Sequence, residues 1–143
     1  MTRHILCAVD LTHEDDARAI LAEAGKLAGL YGAALSVITV LPDYGSSWVG
    51  SFFKEGTLQE AAEAASDALH KMVDAVMPGH GQVQHVVEIG NAYEMVLDAA
   101  KRYDADLIVI GAHKPDLADR ILGPNAARIV RHAPVSVMVL RLP

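Results

Sequence analysis

A chain of 143 residues is expected to form one domain over residues 1–143 that buries roughly 68–70% of its unfolded surface, and a composition 52% hydrophobic and 21% charged argues against a disordered interaction tail. Its formal net charge of −6 argues against non-specific nucleic-acid binding, which rests on many Lys and Arg contacts to phosphates. No apolar run approaches the roughly 18 residues that span a bilayer, and Ile5–Val9 is too short for a signal peptide, so no membrane association and a cytoplasmic location are expected.

The first apolar run, Ile5 to Val9, predicts a strand closed by Asp10. Cys7, the single cysteine, lies inside it and reads as a small core residue rather than a disulfide partner or nucleophile. Thr12-His13-Glu14-Asp15-Asp16 predicts a helix start, with Thr12 as cap and three acids complementing the helix dipole. Ile20, Leu21, Ala24, Leu27 and Ala28 then recur at three- and four-residue steps, the signature of an amphipathic helix. Ala34 to Leu41 predicts the second strand. The connection from Leu41 to Gly56 is long and carries Pro42, Tyr44, Trp48, Phe52 and Phe53, so it reads as a lid, a partner-docking patch or a packed loop. Leu58, Ala62, Ala65, Leu69, Met72 and Val76 mark the second helix, Val83 to Ile89 the third strand, and Val96, Leu97 and Ala100 the third helix. Asp106 to Ile110 and Val135 to Leu140 predict the last two strands, with a helix from Pro124 to about His132 between them. Proline fits the first helical position because its missing N–H would have had no partner there.

Strands apolar on both faces imply a buried parallel sheet, and their alternation with helices implies right-handed crossovers. The expected fold is therefore α/β and Rossmann-like: an open five-stranded parallel sheet with helices on both faces. Strand order is not fixed by these patterns. In the arrangement 2-1-3-4-5, strands 1 and 3 flank the point where the order reverses, and ligands bind in the crevice beyond the carboxyl ends of the strands at such a point.

The richest segment is Leu107-Ile108-Val109-Ile110-Gly111 followed by Ala112-His113-Lys114-Pro115-Asp116 and Ile121-Leu122-Gly123-Pro124-Asn125-Ala126-Ala127-Arg128. Gly111 closes a strand, where the lack of a Cβ admits close approach. Gly123 precedes a helix start, whose N–H groups and dipole suit an anion such as phosphate. Residues 101–143 carry 7 Lys and Arg against 4 Asp and Glu, whereas residues 1–100 carry 5 against 14. His113 and Lys114 are placed to meet phosphate, although a loop lysine is commonly just solvated. Arg120 and Arg128 would add charge, or face water. Asp10 could accept hydrogen bonds from an amino or hydroxyl group, or simply end its strand as a turn residue.

Together with Ile129-Val130-Arg131-His132-Ala133-Pro134-Val135-Ser136-Val137-Met138-Val139-Leu140, this segment resembles the signature of the universal stress protein family, and the resemblance extends back to Ile5-Leu6-Cys7-Ala8-Val9-Asp10. Nucleotide-binding members of that family carry G-x-x-G, nine residues, then G-S/T. Here Lys114 stands for the second glycine, the spacing to Gly123 is one residue shorter, and Pro124 stands for Ser or Thr. A subgroup with H-R/K-P-D in this loop and L-G-S-N before the helix, which includes ATP and AMP binders, is similar. The resemblance implies strand order 3-2-1-4-5, as in the adenine nucleotide alpha hydrolase-like fold, which places the ends of the first and fourth strands together. It implies ATP or AMP as ligand, with Mg2+ as a companion ion. Adenine would lie against Ala8, Val40 and Ile110, Asp10 would take an amino or hydroxyl group, and Gly111, His113, Lys114, Gly123, Pro124, Asn125 and Ala126 would border the phosphates. Because Pro124 supplies neither hydroxyl nor N–H, weaker phosphate contacts are expected, with the Asn125 side chain as a substitute. The resemblance also implies a homodimer through the C-terminal strand.

Enzyme machinery is not legible. The chain has no P-loop, no G-x-S-x-G elbow and no H-E-x-x-H pair, and His80 and His85 are too isolated to suggest a metal. A receiver domain is disfavoured because Val87-Glu88-Ile89-Gly90 ends the third strand without an aspartate. At most, slow ATP hydrolysis or self-modification is expected. The leading reading is a nucleotide-binding stress sensor or adaptor; the second is a nucleotide-free dimeric interaction protein.

Overall fold

The computed structural model describes residues 2–42, 55–79, 81–112 and 123–142. Among them, strands and helices alternate as β1 (His4–Ala8), α1 (Glu14–Tyr31), β2 (Ala34–Leu41), α2 (Glu55–Val76), β3 (Val83–Ile89), α3 (Ala92–Arg102), β4 (Leu107–Gly111), α4 (Pro124–His132) and β5 (Ser136–Leu140). All strand pairs are parallel, in the order β3-β2-β1-β4-β5. The order reverses between β1 and β4.

Alternation along each strand splits the core into two layers. Ile5 and Cys7 of β1 pack with Leu35, Val37 and Val109 against Leu21 of α1 and Leu69 and Val73 of α2. Leu6 points the other way, joining Ile38, Val86 and Ile108 against Val96 of α3 and Ile129 of α4. Both faces of β1 are thus covered, which is why its sequence is continuously apolar. Complete burial of a side chain such as Ile5 or Leu6 contributes about 1.5–3 kcal/mol. Cys7 is a core residue, and burial pushes its thiol up to about 12.

Helix α1 begins one residue later than expected. His13, not Thr12, occupies the cap position, without a side-chain capping bond, and the first turn holds Glu14, Asp15 and Asp16. Thr12 instead turns back to Asp10. At its far end α1 stops on Gly32, whose φ of 63° lets the Ala33 amide reach Ala28 O at 2.8 Å, a helix-ending geometry that favours glycine.

The amino-terminal end of the sheet is fastened by polar groups. Asp106 accepts the backbone N–H groups of Arg3 at 2.8 Å and His4 at 3.3 Å, joining the start of β1 to β4. The buried Ser36 hydroxyl donates to Gln84 Oε1 at 3.0 Å and lies 2.7 Å from His4 Nε2. Desolvation opposes ionisation of Asp106, but the amides of Arg3, His4 and Asp106 itself outweigh it and hold the carboxyl below its usual value.

A depressed folded-state value means that the stabilisation is present above the unfolded carboxylate range and is lost as pH falls through the folded one. Asp106→Asn should therefore be less stable than the parent at pH 7, by urea denaturation, with the gap closing below about pH 4.

Candidate functional site

Because β1 pairs with β2 on one side and β4 on the other, the chain leaves the carboxyl ends of β1 and β4 over opposite faces of the sheet. Between these departures lies a cleft of about 520 Å³, within the roughly 300–1,000 Å³ usual for small-molecule sites. Ala8, Asp10, Val40, Ile110, Gly111, Gly123, Pro124, Asn125 and Ala126 all line it. His113, Lys114 and Arg120 lie outside the described residues, as does most of the aromatic-rich connection after Pro42.

The floor is apolar, formed by Ala8, Ile38, Val40 and Ile110 at the ends of β1, β2 and β4. One wall is the turn from β1 into α1. There Asp10 Oδ1 accepts both the backbone N–H of Thr12 at 2.9 Å and its hydroxyl at 2.6 Å, an aspartate-led turn. Asp10 Oδ2 lies 3.9 Å from His13 Nε2, and the two side chains are 63% and 54% exposed.

The opposite wall is the start of α4. Its first intrahelical bond runs from Ala127 N to Gly123 O at 3.0 Å, so the amides of Asn125 and Ala126 precede any intrahelical acceptor. Pro124 has no N–H to offer. The first turn of α4 carries no acid, whereas that of α1 carries three. Of the three helix starts bordering the cleft, α1 and α3 carry first-turn acids, and only α4 keeps the positive end of its dipole uncompensated by its own side chains.

The two glycines at the cleft are there for different reasons. Gly123 adopts φ −60° and ψ 161°, ordinary extended backbone, so no unusual conformation demands glycine there. At Gly111 close approach is real, but the approaching group belongs to the protein. A Cβ at this position would collide with Cδ1 of Ile20, which reaches over from α1 and itself lines the cleft.

Sequence reasoning missed several lining residues. Thr12, His13 and Asp16 face the cleft, yet their pattern was absorbed by the helix start. Leu142 also lines it, and nothing in the residues after β5 signals that. Arg128 does not reach the cleft wall; its guanidinium stands 5.2 Å from the centre of the Tyr93 ring, a cation–π contact. Among the described residues no cluster of three or more His, Cys, Asp or Glu is arranged to hold a metal, and no helix is long and apolar enough to cross a membrane.

The sequence profile of the universal stress protein family matches residues 1–141. The chain belongs to that family. Universal stress protein G of Salmonella typhimurium is 33% identical over 87 residues, a match that covers 61% of this chain and spans only 59% of that relative. Universal stress protein UspA from Lactobacillus plantarum is similar in structure, with a TM-score of 0.78 and 28% identity over 98% of both chains. A universal stress protein solved in complex with cAMP shares the fold, with a TM-score of 0.66 and 17% identity, covering 98% of this chain and 97% of that one.

In this universal stress protein, the packing of Ile20 on Gly111 predicts non-additive energetics. Gly111→Ala should destabilise by about 1–3 kcal/mol through overpacking, and Ile20→Val alone by about 0.5–1.5 kcal/mol. Because valine lacks the colliding Cδ1, the double variant should be more stable than the sum of the two losses; strict additivity in urea denaturation would contradict the contact.

Proposed function

We propose that the cleft binds an adenine nucleotide, ATP or AMP, and that the protein works as a stress-response sensor or adaptor through that binding. The observation that carries this reading is a single cleft with an acceptor carboxylate on one wall, an acid-free helix start on the other and an apolar floor between them. The adenine ring rests on Ala8, Val40 and Ile110. Asp10 Oδ2 accepts from a hydroxyl or amino group, and the phosphates turn toward the amides of Asn125 and Ala126, beside Gly111, Gly123 and Pro124. His113 and Lys114, which follow β4 in the sequence and lie outside the described residues, are proposed to meet the phosphates, with Mg2+ where a polyphosphate is held. The fold neighbour solved with cAMP is compatible with an adenine nucleotide seated in such a cleft.

Mass spectrometry of small molecules released from protein purified without added nucleotide should find an adenine nucleotide. A thermal-shift comparison of ATP, ADP, AMP and GTP should find a higher Tm with at least one adenine compound than with GTP, since ligand at 100 times Kd stabilises by about 2.7 kcal/mol. Neither a retained nucleotide nor any shift would favour a second reading, a nucleotide-free interaction protein. Pro124, which withholds an N–H, and Ile20, which fills the space beside Gly111, are the features on its side.

Under either reading the protein is proposed to act as a homodimer paired through β5. This strand forms one edge of the sheet, and its apolar residues Val137, Met138, Val139 and Leu140 are only partly buried. An uncovered apolar edge of this kind invites pairing with another strand. Light scattering after size-exclusion chromatography should give twice the chain mass, and a stable monomer across micromolar concentrations would refute the pairing.

A further inference from the structure

We propose that His13 gates the acceptor oxygen of Asp10, so that ligand binding in the cleft is coupled to loss of a proton from His13. The inference rests on the cleft being the nucleotide site and concerns how that site is regulated.

The two oxygens of the Asp10 carboxylate are not equivalent. Oδ1 already accepts the Thr12 amide at 2.9 Å and the Thr12 hydroxyl at 2.6 Å, and these bonds fix the orientation of the group. Oδ2 is the oxygen left to receive a donor from a ligand. His13 Nε2 stands 3.9 Å from that same atom. A protonated imidazole pairs with Oδ2 and competes with the ligand for it; a neutral imidazole gives up the ionic attraction and leaves the oxygen to the ligand's hydroxyl or amino group. Histidine changes charge between about pH 5 and 8, inside the physiological range.

Among the described residues, the ionisable groups around His13 come from α1 and from the turn before it. On its own helix the ionisable neighbours are Glu14, Asp15 and Asp16, of which Asp16 lines the cleft. The turn from β1 contributes Asp10. Among the described residues that line the cleft from β2, α3, β4, α4 and the segment after β5, no side chain is ionisable. Among the described lining residues His13 is the one imidazole. Both members of the pair are more than half exposed, and an exposed ion pair shifts an equilibrium by about two- to fivefold.

The test measures Kd for adenosine and for AMP between pH 5.5 and 8.0, for the parent protein and for His13→Gln. Adenosine carries no group that titrates in this range. The second ionisation of the AMP phosphate, near pH 6, cancels when the two proteins are compared. His13 makes no side-chain capping bond in α1, and glutamine keeps a polar side chain at that position. The parent should bind adenosine about two- to fivefold more tightly at pH 8.0 than at pH 5.5, His13→Gln should lose that dependence, and AMP should give the same difference between the two proteins. Equal pH dependence in parent and variant, or an affinity for adenosine that falls as pH rises, would overturn the gate while leaving the nucleotide reading intact. Binding of neither compound at any pH would overturn the nucleotide reading itself, and the gate with it.

Discussion

Parallel pairing of β1 with β2 on one flank and β4 on the other obliges the chain to depart from the two strand ends in opposite directions. From β1 it crosses to α1, which packs on one layer of the core, and from β4 it reaches α4, which packs on the other. The strand order reverses between β1 and β4, and a crevice opens there. Burial of β1 on both faces makes that arrangement rigid, because Ile5, Leu6 and Cys7 have no exposed surface and their displacement would uncover both core layers at once. The cleft is thus a consequence of strand order.

The cleft is electrically uneven, and its two walls suit different chemistry. Three acids at the start of α1 stabilise that helix by opposing its dipole, and they repel anions from that wall. Helix α4 begins with glycine and proline and has no first-turn acid, so its dipole remains available. A molecule with a hydroxyl- or amine-bearing end and an anionic end therefore has one favourable orientation between Asp10 and Asn125. An apolar floor of Ala8, Val40 and Ile110 suits a flat, weakly polar group between those ends.

Much of this was legible in the residues. Runs such as Ala34–Leu41 and Val83–Ile89 match their strands end to end; β2 is buried along most of its length, whereas the edge strand β3 is marked by its β-branched residues although Gln84, His85 and Glu88 interrupt the apolar run. Pro124 marks the start of α4 because only a first-turn position tolerates its ring. Strand order was not written in the periodicity, since every buried parallel strand looks alike; the family resemblance supplied it. Gly111 was read as room for a ligand, whereas the space beside it belongs to Ile20, a contact between residues 91 positions apart that no local pattern encodes. Thr12 was read as a helix cap because its hydroxyl suits that role, yet the Asp10 carboxylate captured it. Leu142 reached the cleft through the path of the chain after β5, for which local sequence holds no signal.

The account stands on the cleft between β1 and β4 being the place where an adenine nucleotide binds. Titration of 15N-labelled protein with AMP, followed by amide chemical-shift changes, tests that placement residue by residue. Changes should concentrate at Asp10 to His13, at Gly111 and Ala112, and at Gly123, Asn125 and Ala126, while the opposite end of the sheet around His4 and Asp106 stays unchanged. Saturable changes centred away from those residues, or a spectrum unaltered at millimolar nucleotide, would contradict it.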